Sequence, residues 1–288
     1  MANSRGIEFG VCLPFSPDLA AFAGNAEALG LDYLACGEHF SAARPTPNSL
    51  ISLAVAAGAT RAIRLVSSVT LVPLYPPPLL AKMIAALDVV CGGRFDLGIG
   101  VGGEIPADFD LLGVPRTERA ARASEALEII DRLLTEPSVT FDGRFTRLSA
   151  ARLDTGPVQK PRIPFWVCGR KRQAMERAVR YGDVWMPYLY TPRQLAASIE
   201  TLDQLSAERW SRPWQGSTAV YLHTTVYGDG DMAVRVGQDN VGGTYNQDFS
   251  GLSRLLLAGN PQQCVARLGE YVDAGATRFI FRLACPAS

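Results

Sequence analysis

The chain holds only two histidines, His39 and His223, and His39 stands in Gly37-Glu38-His39-Phe40, directly after a short apolar run. An imidazole titrates near neutral pH, so at the end of a strand it can exchange a proton with a bound molecule, and a carboxylate such as the preceding Glu38 would raise its basicity. A histidine that merely packs a loop fits the same placement. A second place is Gly98-Ile99-Gly100-Val101-Gly102-Gly103-Glu104, which satisfies G-x-G-x-x-G at Gly98, Gly100 and Gly103. The dinucleotide fingerprint needs the chain's first strand, a helix at once and an acidic strand tip about 20 residues later. Here Pro106 follows closely, and a helical pattern occupies the distant position. The run reads better as a loop whose glycines let backbone approach a flat ligand. Glu104 would then face the same cavity as His39 as an acid/base partner, or else be a solvated loop carboxylate. A third place is Cys168-Gly169-Arg170-Lys171-Arg172. Helix-start N–H groups with three cationic side chains suit a phosphate, whereas a basic helix start left in water is disfavoured by the macrodipole.

These residues need elements to hold them. Apolar and β-branched runs predict strands at 7–13, 33–36, 63–72, 95–99, 165–168, 184–186, 218–227 and 277–283. Helical periodicity fills the intervals, with Asn48 as a cap, Pro76-Pro77-Pro78 opening one helix and Gly30 and Gly92-Gly93 as stops. In the helix that starts at Thr117, residues Ala123, Ala126, Leu127, Ile130, Leu133 and Leu134 share one face. Two departures break the alternation. Asp142-Gly143 between 138–141 and 145–148 signals a hairpin after the fourth helix. Residues 229–259 form an insertion after the seventh strand, with its own helix near 252–257. Strand–helix alternation predicts a parallel sheet, and eight units favour a closed (β/α)8 TIM barrel, one domain over 1–288, with an open doubly wound sheet as fallback. In such a barrel the site lies at the carboxyl ends of the strands, where His39, Glu104 and Arg170 all fall.

Composition narrows the classes. The 288 residues suit one barrel with modest insertions, and 28 basic against 28 acidic residues give no electrostatic footprint for nucleic acid or an anionic membrane. Six cysteines are scattered without metal spacing, and the histidines are too few for a metal hydrolase, so no metal is expected. No signal peptide or membrane-spanning run is read, and a reducing cytoplasm is the expectation.

Over nearly the whole chain these motifs resemble the luciferase-like monooxygenase superfamily, the bacterial-luciferase-type flavin and deazaflavin barrels. The resemblance is carried by Gly30-Leu31-Asp32-Tyr33 leading to Glu38-His39-Phe40, by residues 64–69 ahead of a proline-marked helix, and by Leu87-Asp88 with Gly92-Gly93-Arg94. It continues through Leu97-Gly98-Ile99-Gly100-Val101-Gly102, residues 161–170, Tyr181-Gly182-Asp183-Val184-Trp185, and Gly259-Asn260-Pro261 before Asp273-Ala274-Gly275-Ala276. Their order and spacing together are specific. The resemblance implies a non-proline cis peptide at Ser68-Val69, in a bulge ending the third strand, set against the central flavin ring. It also implies a cofactor-phosphate loop at Gly169-Arg170 after Cys168, a glycine-lined ring site at Gly100 and Gly102, and His39 facing the reactive ring edge with Glu104 as helper. Gly102-Gly103-Glu104 is closer to the deazaflavin (coenzyme F-420) branch than to the FMN branch, where a tryptophan commonly replaces Glu104. Ser41-Ala42-Ala43-Arg44 lacks the tryptophan that sugar-phosphate dehydrogenases of that branch carry, which argues against glucose 6-phosphate.

The implied function is therefore an F-420-dependent oxidoreductase acting on a small organic substrate. The alternatives are an FMN-dependent monooxygenase, a non-catalytic cofactor-binding barrel and a phosphate-substrate barrel without flavin. A homodimer is implied by the family. Substrate choice should reside in loops 42–48 and 229–259, the latter holding Val241-Gly242-Gly243-Thr244-Tyr245-Asn246 as a lid.

Overall fold

Strands and helices alternate through a computed structural model that describes residues 6–42, 45–245 and 251–284. In chain order they are β1 (Glu8–Cys12), α1 (Leu19–Ala28), β2 (Tyr33–Cys36), α2 (Ser49–Ala59), β3 (Arg64–Ser67), β4 (Thr70–Leu71) and α3 (Pro77–Val90). There follow β5 (Phe95–Gly100), α4 (Pro106–Leu111), α5 (Arg119–Thr135), β6 (Val139–Asp142), β7 (Arg147–Ala151), β8 (Phe165–Cys168) and α6 (Arg172–Tyr181). The chain continues with β9 (Val184–Met186), α7 (Pro192–Trp210), β10 (Ser217–Val226), α8 (Gly230–Tyr245), β11 (Leu257–Gly259), α9 (Pro261–Asp273) and β12 (Arg278–Leu283).

Local chemistry explains the boundaries. The Asn48 side chain accepts from Ile51 N at 3.1 Å to start α2, and capping boxes at Thr191/Gln194 and Asn260/Gln263 start α7 and α9. Gly30 ends α1 with a φ of +77°, a conformation glycine reaches without a Cβ penalty. β2 and β8 are buried at every residue, as strands covered on both faces must be.

The strands run parallel in the order β12-β1-β2-β3-β5-β8-β9-β10, and pairing of β10 with β12 closes the eight-stranded (β/α)8 TIM barrel. Alternation divides each strand between two cores. Cys12, Tyr33, Ala35, Val66, Trp166, Cys168, Val184, Met186, Ala219 and Ile280 form one cluster inside the barrel. Val11, Leu34, Leu65, Leu97, Val167, Trp185, Val220 and Phe279 point outward into the larger core beneath the helices.

The structure corrects the sequence reading in three places. The strand expected over 63–72 is interrupted at the bulge that the resemblance implied: β3 stops at Ser67, the implied cis peptide joins Ser68 to Val69, and β4 resumes the ladder by pairing Thr70 with Ile99. The helix of the insertion after β10 is α8, upstream of the expected 252–257; there the chain makes a 3-10 turn and then β11, which pairs Leu257 with Thr224 of β10. Residues 241–245, expected in a lid, belong to α8, which lies close on β10: a Cβ on Gly237 would come within 2.9 Å of Thr225 Oγ1. The third correction is α4, too short to show a period. The hairpin is present as β6–β7, antiparallel with Asp142 opposite Arg147. Asn246 of the expected lid, residues 43–44 of the loop after β2, and Cys285 lie outside the described residues. Among the described residues, no helix is long and apolar enough to cross a membrane.

Candidate active site at the carboxyl end of the barrel

The bulge at the end of β3 exists because its neighbours are glycines. A Cβ on Gly98 would lie 1.7 Å from the Ser67 carbonyl oxygen, one on Gly37 2.7 Å from the Ser68 carbonyl oxygen, and one on Gly100 2.2 Å from Val69 Cγ2. Contacts that close exclude any side chain. Ser67 Oγ pins the bulge by accepting from Gly98 N at 2.9 Å and donating to Gly98 O at 3.0 Å. Gly100 and Gly102 turn their Cβ directions toward the chain itself. Val69 fills the space beside Gly100, and Phe109 and Leu71 fill that beside Gly102, which has a φ of +61°. What they shape is a platform: Val69 is half-buried, with Phe40, Leu71, Leu74 and Phe109 packed around it. Ser68 Oγ is buried there without a hydrogen-bond partner.

His39 has a different carboxylate from the one expected. Glu38 turns away and is buried, accepting from Ser49 N (3.1 Å), Ser49 Oγ (2.8 Å), Leu71 N (3.0 Å) and Tyr75 OH (3.0 Å). It ties the start of α2 to β4. The partner of His39 is Asp108 of α4, whose Oδ2 lies 2.8 Å from Nδ1. Asp108 Oδ1 accepts from Phe40 N and Ser41 N, both at 2.7 Å, and the residue is only 1% exposed. With Asp108 Oδ1 taken by two N–H donors, Oδ2 is placed to accept from Nδ1 in the tautomer that leaves Nε2 for a ligand. The His39 side chain remains 28% exposed. Sequence reasoning missed Asp108; its only local signal is an acid in a first turn opened by Pro106.

Glu104 is not joined to His39 either. Its Oε1 accepts from Tyr188 OH at 2.5 Å, and the Arg170 guanidinium lies 4.7 Å from the centre of the Tyr188 ring. Gly169, at a φ of +128°, donates its N–H to Met186 O at 3.3 Å and accepts from Trp185 Nε1 at 3.0 Å. Of the three cations expected here, Arg172 turns along α6 to Glu176, 3.1 Å away, which leaves Arg170 and Lys171 at the strand end. Cys168 points into the barrel cluster, and burial pushes its thiol up to about 12, so it is a packing residue in protonated form. Another missed cation is Arg119 at the start of α5: a Cβ on Gly103 would come within 2.7 Å of its Nε. His223 of β10 is also buried, and burial, aided by the charge of Arg282, pulls its imidazole down to about 4.

The half-buried Val69 platform, the orphaned Ser68 hydroxyl and the cations Arg119 and Arg170 fit a planar ring with an anionic tail.

Comparison with known proteins identifies the family. The family model described as luciferase-like monooxygenase matches residues 9–238. The chain is 34% identical, over 305 aligned positions covering 93% of it and 87% of the relative, to an F420-dependent glucose-6-phosphate dehydrogenase from Kineococcus radiotolerans. It is 35% identical over 179 residues to 4-hydroxyprotoasukamycin monooxygenase from Streptomyces nodosus subsp. asukaensis, spanning 61% of this chain but 48% of that one. The chain thus spans about half the length of some curated relatives it matches. In fold it superposes on an F420-dependent secondary alcohol dehydrogenase with a TM-score of 0.87 at 19% identity, covering 98% of this chain and 94% of the other. The chain belongs to the luciferase-like monooxygenase family.

Proposed function

We propose that the chain is a deazaflavin (coenzyme F-420)-dependent oxidoreductase that moves a hydride between the cofactor and a small organic substrate. The observation that carries this reading is the His39–Asp108 pair, which leaves Nε2 for proton exchange on a strand end whose Gly37 and Phe40 pack against the Ser68-Val69 platform. When bound, the deazaflavin supplies a ring carbon that gives or accepts a hydride. The protein's part is to orient and to handle the proton. His39 Nε2 exchanges the proton of the substrate's polar group, with Asp108 fixing the ring and stabilising its charged form. Glu104 acts at one remove, by holding Tyr188 beneath Arg170. Ser68 and Val69 would carry the ring, and Gly169, Arg170 and Arg119 the phosphate. Gly100, Gly102 and Cys168 contribute by shape. Glu104 standing where the FMN branch commonly has tryptophan, together with the F420-dependent relative, favours the deazaflavin.

A second reading, an FMN-dependent monooxygenase, is favoured by the similarity to 4-hydroxyprotoasukamycin monooxygenase. The two separate on oxygen. Incubation with coenzyme F-420 and a panel of alcohols and aldehydes without oxygen should change the cofactor's absorbance. Oxygen uptake with reduced FMN, and no anaerobic turnover, would instead select the monooxygenase.

The same reading includes a cytoplasmic homodimer of one-domain chains. Five buried free thiols among the described residues support the reducing compartment. For the dimer, the outer faces of α2 and α3 expose Ile51, Val55, Leu79 and Val90, a surface suited to burial against a second copy.

A further inference from the structure

The loop Gly169-Arg170 after β8 is held by one short stretch of neighbouring chain. Trp185 Nε1 of β9 donates to Gly169 O at 3.0 Å, and Met186 O accepts from Gly169 N at 3.3 Å. Just beyond β9, the centre of the Tyr188 ring lies 4.7 Å from the Arg170 guanidinium, and Tyr190 OH lies 3.5 Å from the Arg170 carbonyl oxygen. Both tyrosines are anchored in turn. Tyr188 OH donates to Glu104 Oε1 at 2.5 Å. Tyr190 OH meets Ser198 Oγ at 3.1 Å, and its carbonyl accepts from Tyr271 OH at 2.6 Å. Leu189 stands between them and faces elsewhere. Its φ is +50°, in the left-handed region where a Cβ crowds the following carbonyl, so a leucine persists there only where its surroundings hold it. What holds it is apolar. Leu189 packs against Val241 of α8, Leu256 ahead of β11 and Ala284 after β12, a cluster separate from both barrel cores.

We infer that Leu189 is a positioning residue for the cofactor's phosphate: seated in the apolar cluster of the insertion, it fixes the turn that keeps Tyr188 and Tyr190 on Arg170. The inference rests on Gly169-Arg170 being the cofactor-phosphate loop. An arginine on a free stem loses rotamer freedom when it meets an anion, and one already braced at its guanidinium and its carbonyl has less to lose. The left-handed turn is what sends two adjacent tyrosines to the two ends of one residue. Through this one side chain the insertion reaches the cofactor's tail, although β11 pairs with β10 and β9 separates that strand from β8.

Coenzyme F-420 and its phosphate-free deazaflavin core are titrated separately into wild type, Leu189→Ala and Leu189→Met, following tryptophan fluorescence, and the melting temperature of each protein is recorded. The wild type should bind F-420 about tenfold tighter than the core. Leu189→Ala keeps the strained turn and loses its anchor, so it should bind F-420 about fivefold more weakly with affinity for the core unchanged, and Leu189→Met should restore both values. A lower melting temperature in Leu189→Ala with the F-420 preference intact overturns the inference, because that is all a packing residue would do. An equal loss for F-420 and the core overturns it as well, as does a wild type that binds the two alike. Inorganic phosphate is the second probe, and it should raise the melting temperature of the cofactor-free wild type but not that of Leu189→Ala. Should the wild type bind no deazaflavin, the functional reading falls and the phosphate comparison decides alone: equal shifts in the two proteins, or none in the wild type, overturn the inference.

Discussion

The two ends of the barrel interior hold similar residues and use them in opposite ways. At the amino end the charged groups hold one another. Arg64 pairs with Asp96, Trp166 Nε1 donates to Asp96 Oδ2 at 3.1 Å, Arg278 pairs with Glu8, and Tyr33 packs edge-on against Trp166 at 5.1 Å. At the carboxyl end two carboxylates hold backbone as well as side chains. Asp108 takes the N–H groups of Phe40 and Ser41, and Glu38 those of Ser49 and Leu71. The residues they position, His39 above all, keep an exposed polar edge. A closed network makes a plug; carboxylates bound to backbone make a rigid frame around groups left for a ligand.

The largest effect should come from the mouth. His39→Ala is expected to lower kcat by roughly 10²–10⁴-fold while leaving cofactor affinity nearly unchanged. Asp108→Asn should cost about 10²-fold and alter the pH profile of kcat, because the amide no longer enforces the Nδ1–H tautomer. Full turnover in His39→Ala would erase the contrast between the two ends.

Arg64→Leu probes the plug. It strands the buried Asp96 and should lower stability by about 3–5 kcal/mol in denaturant unfolding, with kcat preserved in the folded fraction. A matching fall in kcat would mean that the amino end is not merely a plug.

The smallest effect is one of pH. His223 is held at about 4 in the folded chain against 6.5 unfolded, so as pH falls through that window the unfolded chain takes up the proton first. Stability present above pH 6.5 is then lost towards pH 4, on the order of 3 kcal/mol. Asp96, raised by burial to about 6 despite Arg64, works in the opposite direction over an overlapping range, so the wild-type profile alone is flattened. Melting temperatures of wild type and His223→Gln isolate the histidine: the variant should gain on the wild type steadily as pH drops from 6.5 to 4. A constant difference would contradict its burial as a neutral ring.

How much of this was legible in the sequence depended on how local the cause is. β9 at Val184–Met186 matches its expected bounds and α3 opens at the expected prolines, because a fully buried run and a proline-opened helix are written in adjacent residues. The barrel followed from their alternation. The break in β3 was legible only through family resemblance, since nothing local separates Ser67-Ser68-Val69-Thr70 from ordinary strand. The partners within the site were not legible. His39 meets Asp108 across 69 residues and Glu104 meets Tyr188 across 84, so the expected partners, Glu38 and Glu104, were chosen by nearness in sequence or shared loop placement. Glycine carried the same ambiguity. It signals that something comes close, and at Gly98 and Gly100 the close neighbour proved to be the chain itself.

The central claim is that the platform at Ser68-Val69 and the cations beyond it hold a deazaflavin. Titrating the protein with coenzyme F-420 and, separately, with FMN, by quenching of tryptophan fluorescence, tests it most directly. The account predicts saturable micromolar binding of F-420 and none of FMN in that range. Saturation by neither would contradict the site itself, and saturation by FMN alone would contradict the choice of cofactor.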